Sequence, residues 1–406
     1  MPLSPTRETD VRQYAIICGI ILALMFALKI PSLGVDHLED DERIYWALAQ
    51  NWLATGAYSL RGTELLESLP PAMYDKPLFH HPPMQTFLLI PFAWLDTPRA
   101  AVMVSWLGHA AAVVGVALIC WCARRGHGGA TQLFLWLPVL GVAVDPILTL
   151  TARKIWPDNL AGGFCALSAG FCFLAAYRGS AGPALVGGVF AAFAALSKLP
   201  GLLALPVGSA VLWFAVERGK HRAALIGGFV APQIVLVGLW LFVFHREYGV
   251  FLPDWIMPDS ALRALSSHVE RAMQRPIWYY AGQTLLVAPV SGVIVVTMFA
   301  VRGGMPSRVL RIGLLWLVLG YVALMMLQIM GQGAQLRFLT PIAAGWYVCM
   351  YGVLRRADAN RSLLGVTFLA AVLYSVSTAG FFLVQGLAYD DIVSVPEMMW
   401  RQFCGN

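Results

Sequence analysis

Asp36-His37-Leu38-Glu39-Asp40-Asp41-Glu42-Arg43-Ile44-Tyr45 follows the first long apolar segment and sets five carboxylates and a histidine within seven residues. Only 12% of the 406 residues are charged, whereas a soluble chain carries about 25%. Ionised side chains are costly in hydrocarbon, so a run this acidic must stand in water or in a water-filled recess at a membrane face. The rest of the chain is read outward from it.

The chain is 59% hydrophobic with 14 Trp and a mean hydropathy of +0.69, the composition of a polytopic membrane protein. The net charge of +6 calls for no nucleic-acid partner, because basic residues gather at cytoplasmic helix ends. No Lys/Arg cluster interleaved with aromatics lies outside the apolar segments. Seven cysteines (Cys18, Cys120, Cys122, Cys165, Cys172, Cys349, Cys404) lie mostly inside apolar segments, without a Cys-x-x-Cys pair, and read as small core residues. The N-terminal segment is too long for a signal-peptide core and reads as an uncleaved anchor.

A spanning helix needs about 20 largely apolar residues. Eleven segments qualify, at about 14–33, 99–123, 131–150, 159–177, 183–197, 200–216, 223–244, 278–300, 311–330, 338–354 and 363–385. Met84–Leu95 is apolar but short and contains Pro91, so it is expected to be re-entrant or interfacial. The expected fold is all-α: one membrane domain over 1–406, with long outer loops at about 34–98 and 245–277. Alternation of eleven helices puts Arg124/Arg125, Arg218/Lys220/Arg222 and Arg355/Arg356/Arg361 on one side in short loops. It leaves there only Glu8, Asp10, Glu217 and Asp358 of the 22 acids. The positive-inside rule then places the N-terminus in the cytoplasm and the acidic run outside, in a bacterial inner or plasma membrane. Within the first outer loop, Ile44, Leu48 and Trp52 recur at helical spacing, which predicts a helix lying on the membrane surface with its apolar face among headgroups.

Four stretches then follow one another: Asp41-Glu42-Arg43-Ile44-Tyr45, Asn51-Trp52-Leu53-Ala54-Thr55-Gly56, Tyr74-Asp75-Lys76-Pro77 and His80-His81-Pro82-Pro83. Later come Trp156-Pro157-Asp158-Asn159, Leu196-Ser197-Lys198-Leu199-Pro200-Gly201 and Gln335-Leu336-Arg337-Phe338-Leu339-Thr340-Pro341. In this order they resemble the polytopic GT-C glycosyltransferases of the protein O-mannosyltransferase and lipid A aminoarabinose transferase superfamily. Two departures stand out: Phe338 replaces the motif tyrosine after Arg337, and the large outer C-terminal domain of some members is missing. The resemblance implies a sugar donor carried on polyprenyl phosphate, an acceptor hydroxyl or amine outside the cytoplasm, and inversion at the anomeric carbon.

Such a transfer needs a carboxylate within hydrogen-bond reach of the acceptor, and cationic groups for the departing lipid phosphate. Asp41 is the expected base, with Asp40 and Glu42 positioning it or binding a cation. Adjacent carboxylates suit a hard divalent metal, so metal dependence stays open. Lys76, Arg337 and Lys198 are the phosphate candidates, with Arg43, His80 and His81 beside them. For Arg337 and Lys198 the plain alternative is snorkelling at a helix end. For the histidines the alternatives are metal ligation or a structural role of the Pro-Pro pair. Asp158 is either a second acidic ligand or a helix cap favoured by the dipole. Two other functions compete with the transferase, a transporter or flippase and a non-catalytic assembly subunit. A transporter is expected to place ionisable residues inside broken midplane helices, whereas here they gather in outer loops.

Overall fold

The computed structural model describes residues 5–30, 33, 38, 40–69, 71–124, 136–216, 219–251, 279–287, 289–300, 307–329, 335–356 and 361–385. Among them every regular element is helical. Those of six residues or more are, in chain order, α1 (Pro5–Lys29), α2 (Asp40–Thr55), α3 (Met84–Trp94), α4 (Met103–Ala123), α5 (Leu137–Ala143), α6 (Pro146–Thr151), α7 (Asp158–Arg178) and α8 (Ala181–Ser197). They continue as α9 (Ala204–Ala215), α10 (Lys220–Tyr248), α11 (Tyr279–Val287), α12 (Pro289–Ala300), α13 (Arg308–Ile329), α14 (Thr340–Arg356) and α15 (Arg361–Gln385). Short 3-10 turns at Glu64–Ser68, Leu199–Leu203 and Leu336–Leu339 link them.

Among the described residues five stretches are long and apolar enough to cross a membrane: Arg12–Lys29, Ala100–Ala123, Asp158–Arg178, His221–Tyr248 and Arg308–Ile329. The chain is thus an integral, multi-pass membrane protein. Helix lies in each of the eleven expected segments, but in the first of those after α4, 131–150, it is interrupted at Val144–Asp145. There Asp145 precedes Pro146, where the ring disfavours helical backbone at the preceding residue. Asp145 instead caps α6, its carboxylate accepting from Leu148 N at 2.9 Å and from Tyr347 Oη at 2.7 Å. This intramembrane acid is therefore satisfied by its own helix start. Most of the second outer loop, 252–278, lies outside the described residues, as do Asp36, His37 and Glu39.

The centre of the bundle is α4 against α7, with α8 and α14 around it. Gly108 and Gly115 on α4 meet Gly163 and Gly170 on α7, and a Cβ on Gly163 would run into the Gly108 carbonyl. Lipid gives helices no hydrophobic reason to associate, so close backbone approach through small residues takes over that task. The five buried cysteines, Cys120, Cys122, Cys165, Cys172 and Cys349, fill this interior.

The segment between α1 and α4 folds over a second apolar cluster, to which Val104 of α4, Ile155 and Leu160 of α7 also contribute. Ile44, Leu48 and Ala49 of α2 are buried with Tyr58, Phe79 and Leu89, and α3 packs across them. The apolar face of α2 is therefore covered by protein, not laid among headgroups as its amphipathic pattern suggested. Trp52 closes the cluster edge-on to Phe87, ring centroids 4.8 Å apart. Gly56 ends α2 in the left-handed conformation (φ 74°), its N–H donating to Trp52 O at 2.9 Å, as glycine readily does past a helix end.

Candidate functional site

Asp41 stands in the first turn of α2, where the helix dipole favours a carboxylate. Its Oδ2 pairs with Arg337 Nη2 at 2.9 Å, and the side chains are 39% and 12% exposed. Arg337 comes from the 3-10 turn before α14. It is aimed by Gln335, whose Oε1 accepts from Arg337 Nε at 2.6 Å. Its guanidinium lies over the Trp156 ring, 4.5 Å from the centroid, a contact attractive for a flat cation.

A second pair stands beside the first. Asp158 opens α7 after Pro157 and is 1% exposed. Its Oδ1 accepts from Lys198 Nζ at 2.7 Å, while its buried Oδ2 has no hydrogen-bond partner among the described residues. Lys198 sits in the extended connection between α8 and the turn at Leu199–Leu203. Its ammonium lies 4.3 Å from the Phe338 ring centroid, and Arg337 lies 5.9 Å from the same ring. An aromatic face without a hydroxyl thus serves both cations.

His81 forms a third wall. Its Nδ1 is 2.8 Å from Tyr45 Oη, and Tyr45 lies one turn beyond Asp41 on α2. Tyr58 Oη donates to the carbonyls of His81 and Pro82 at 3.0 and 3.2 Å, which fixes the His-His-Pro-Pro segment.

The charges work on one another. Burial pulls the Asp41 carboxyl up, but Arg337, His81 and Lys198 outweigh it and hold its pKa below the ordinary value. Burial lowers His81 to about 4, against the pull of Asp41, so its imidazole is neutral near pH 7. Burial also lowers Lys198, to about 8, with Asp158 pulling upward and Arg337 pushing further down. Tyr45 is pushed well above its usual value by burial and then by Asp41. The recess thus holds two carboxylates, two cations and a neutral imidazole.

The structure therefore gathers Asp41, His81, Asp158, Lys198 and Arg337. It does not bring Glu42, Arg43, His80 or Lys76 among them. Glu42 is 4% exposed and points elsewhere: its Oε1 accepts from Ile155 N at 2.8 Å and its Oε2 from Lys154 Nζ at 3.3 Å. One residue along a helix turns a side chain by about 100°, so adjacent acids meet different walls. Arg43 is exposed on another face of α2. His80 is buried among Tyr74, Phe79 and His81, and burial, then His81 and Lys76, hold its pKa well below the usual value. Lys76 is half-buried on the His80 side. Asp40 begins α2, but its side chain lies outside the described residues. Tyr45, Trp156, Phe338 and Gln335 complete the site without having been singled out for it. Their signals were the one-turn spacing from Asp41 and proximity to Asp158 and Arg337 in the quoted motifs.

No family model matches the chain, and no curated protein matches it. Solved structures do. ArnT from Cupriavidus metallidurans bound to undecaprenyl phosphate superposes with a TM-score of 0.57 at 15% identity, over 95% of this chain and 78% of that one. The same protein in its apo state gives 0.55 at 15%, over 96% and 77%. The Archaeoglobus fulgidus oligosaccharyltransferase complexed with Zn and sulfate gives 0.51 at 13%, over 90% of this chain and 53% of that one. These likenesses are likenesses of fold. The chain has the GT-C fold. It spans about half the length of the oligosaccharyltransferase and about three quarters of ArnT. Within this GT-C fold, a hard divalent cation would want several oxygen ligands. Among the described residues no three His, Cys, Asp or Glu side chains are placed to hold a metal ion, and Asp41 and Asp158 each already face a cationic side chain.

Proposed function

We propose that the chain is a membrane glycosyltransferase that moves a sugar from a polyprenyl-phosphate donor to an acceptor hydroxyl or amine outside the cytoplasm, with inversion. What carries the reading is the convergence of Asp41, His81, Asp158, Lys198 and Arg337, from five separate parts of the chain, in one recess of a GT-C fold. The orientation that fits has the N-terminus in the cytoplasm and α2 outside.

In this scheme the acceptor oxygen or nitrogen attacks the anomeric carbon from the face opposite the phosphate. The bond from that carbon to the phosphate oxygen breaks, its electron pair leaves with the lipid phosphate, and Asp41 takes the acceptor proton. Arg337 and Lys198 meet the charge that grows on the phosphate. A carboxylate held low by Arg337 is a weak base. Once the donor phosphate draws Arg337 away, that contact weakens and the affinity of Asp41 for a proton rises. Donor binding thereby readies the base.

The test uses the purified full chain in lipid nanodiscs with radiolabelled undecaprenyl-phosphate sugars and cell-envelope acceptor fractions. Asp41→Asn is expected to lower transfer by about a hundredfold or more, the usual contribution of a positioned base, with normal expression and undiminished undecaprenyl phosphate binding. Unchanged transfer by this variant removes Asp41 from the base role.

A further inference from the structure

The α2 helix has a second working face. A cavity of about 1040 Å³ opens between α2 and the 3-10 turn Glu64–Ser68, on the side of the helix away from Tyr45 and His81. This is at the upper end of the volumes of small-molecule sites, roughly 300–1,000 Å³. Its walls include Arg43, Trp46, Gln50, Asn51, Glu64 and Glu67. Asn51 is 9% exposed and locked, its amide donating to Ser59 O at 2.6 Å. Trp46 is 8% exposed. Among the described residues, by contrast, the side chains of Arg43, Gln50, Glu64 and Glu67 hold no hydrogen bond or ion pair. One cation and two carboxylates therefore face a common space without neutralising one another.

We infer that this cavity is a carbohydrate subsite that holds the remote sugars of an acceptor glycan, neutral or amine-bearing. This rests on the transferase reading above and adds the acceptor's chemical class to it. Carboxylates and amides accept and donate to sugar hydroxyls, a guanidinium donates to ring and hydroxyl oxygens, and an indole wall suits the apolar face of a pyranose. The lining carries a net single negative charge, which disfavours a sulfated or otherwise polyanionic glycan. Arg43 is two positions from Asp41, about 200° around the helix, and Leu38 lines the cavity just before α2 begins. A ligand seated here reaches Asp41 around the first turn of a rod about 10 Å across. Binding energy taken far from the reacting centre then holds the acceptor in place.

The experiment measures binding of three tetrasaccharides, mannotetraose, the chitosan tetramer and a sulfated heparin fragment, to the full chain in nanodiscs by titration calorimetry and saturation-transfer NMR. The first two are expected to bind and the sulfated one not. The Glu64→Gln/Glu67→Gln variant and Arg43→Ala should each weaken binding about tenfold or more. The inference is overturned by no saccharide binding, by equal binding to the variants, or by preference for the sulfated fragment. Sugar transfer by wild-type protein, measured alongside, separates the two readings. Transfer with no saccharide bound at this face sinks the subsite alone; absence of any transfer sinks the transferase reading.

Discussion

Replacing Glu42 distinguishes a positioning carboxylate from a catalytic one. Glu42 belongs to a closed ring: α2 carries it beside Asp41, it holds Ile155 and Lys154, the next residue Trp156 lies under Arg337, and Arg337 pairs with Asp41. Glu42→Gln keeps an oxygen for Ile155 N and loses the ion pair with Lys154. Hydrogen bonds to charged groups are worth about 1.5–3 kcal/mol, and the 3.3 Å contact belongs at the low end. With all of that loss falling on the alignment of Asp41, kcat drops about tenfold, since 1.36 kcal/mol is a decade in rate. Glu42→Ala also loses the 2.8 Å bond and opens a buried gap, so its expected loss is about a hundredfold or somewhat more. The assay is steady-state transfer in nanodiscs across pH, with melting temperature as the control for folding. The expected pattern is graded loss, Gln milder than Ala, with the acidic limb of the pH profile unmoved in Glu42→Gln. Full activity in Glu42→Ala refutes the ring. A folded Glu42→Gln as inactive as Asp41→Asn, with that limb abolished, refutes the division of labour and makes Glu42 the base.

The remaining expectations are simpler. Lys198 has its pKa lowered to about 8, so the ammonium is present below that value and lost above it. Accordingly kcat/KM should fall as pH rises through about 8, and in Lys198→Arg, whose guanidinium stays charged, that alkaline limb should vanish. Arg337→Lys keeps the charge but gives up the planar contact with Trp156 and the Gln335 bond. Undecaprenyl phosphate should bind it about tenfold more weakly, and wild-type affinity would deny Arg337 a shape-dependent role. Gly163→Val forces α7 off the Gly108 carbonyl of α4; it should lower the melting temperature and the yield of folded protein, and a wild-type melt would contradict the close approach.

The parts of this site that the sequence revealed are those written as type and order. An acidic pair after the first span, a His-His-Pro-Pro run, and an Asp, a Lys and an Arg at later helix starts name five of the converging side chains. Azimuth is not written that way. Asp41 and Glu42 are neighbours in sequence, yet a helix turns them toward different partners, so one faces Arg337 and the other Ile155. The amphipathic stripe of α2 announced a covered face without saying whether lipid or protein covers it, because both satisfy the same apolar side chains. The break at Asp145-Pro146 was legible, since proline disfavours helix at the residue before it and aspartate caps the helix that starts there. The length of the apolar run hid it.

Pairing across the chain is the deeper thing that composition and spacing leave out. A lone carboxylate in an apolar recess has its pKa raised and makes a strong base; the same carboxylate against a guanidinium makes a weak one. Asp41 is the second kind as the protein stands. A phosphate that competes for Arg337 turns it toward the first, while Trp156 and Gln335 keep the guanidinium from following the carboxylate. On the proposed transferase reading, the order of events in transfer then depends on who holds Arg337: acceptor deprotonation is suppressed until donor is bound, and a water molecule in the acceptor position meets a base too weak to activate it.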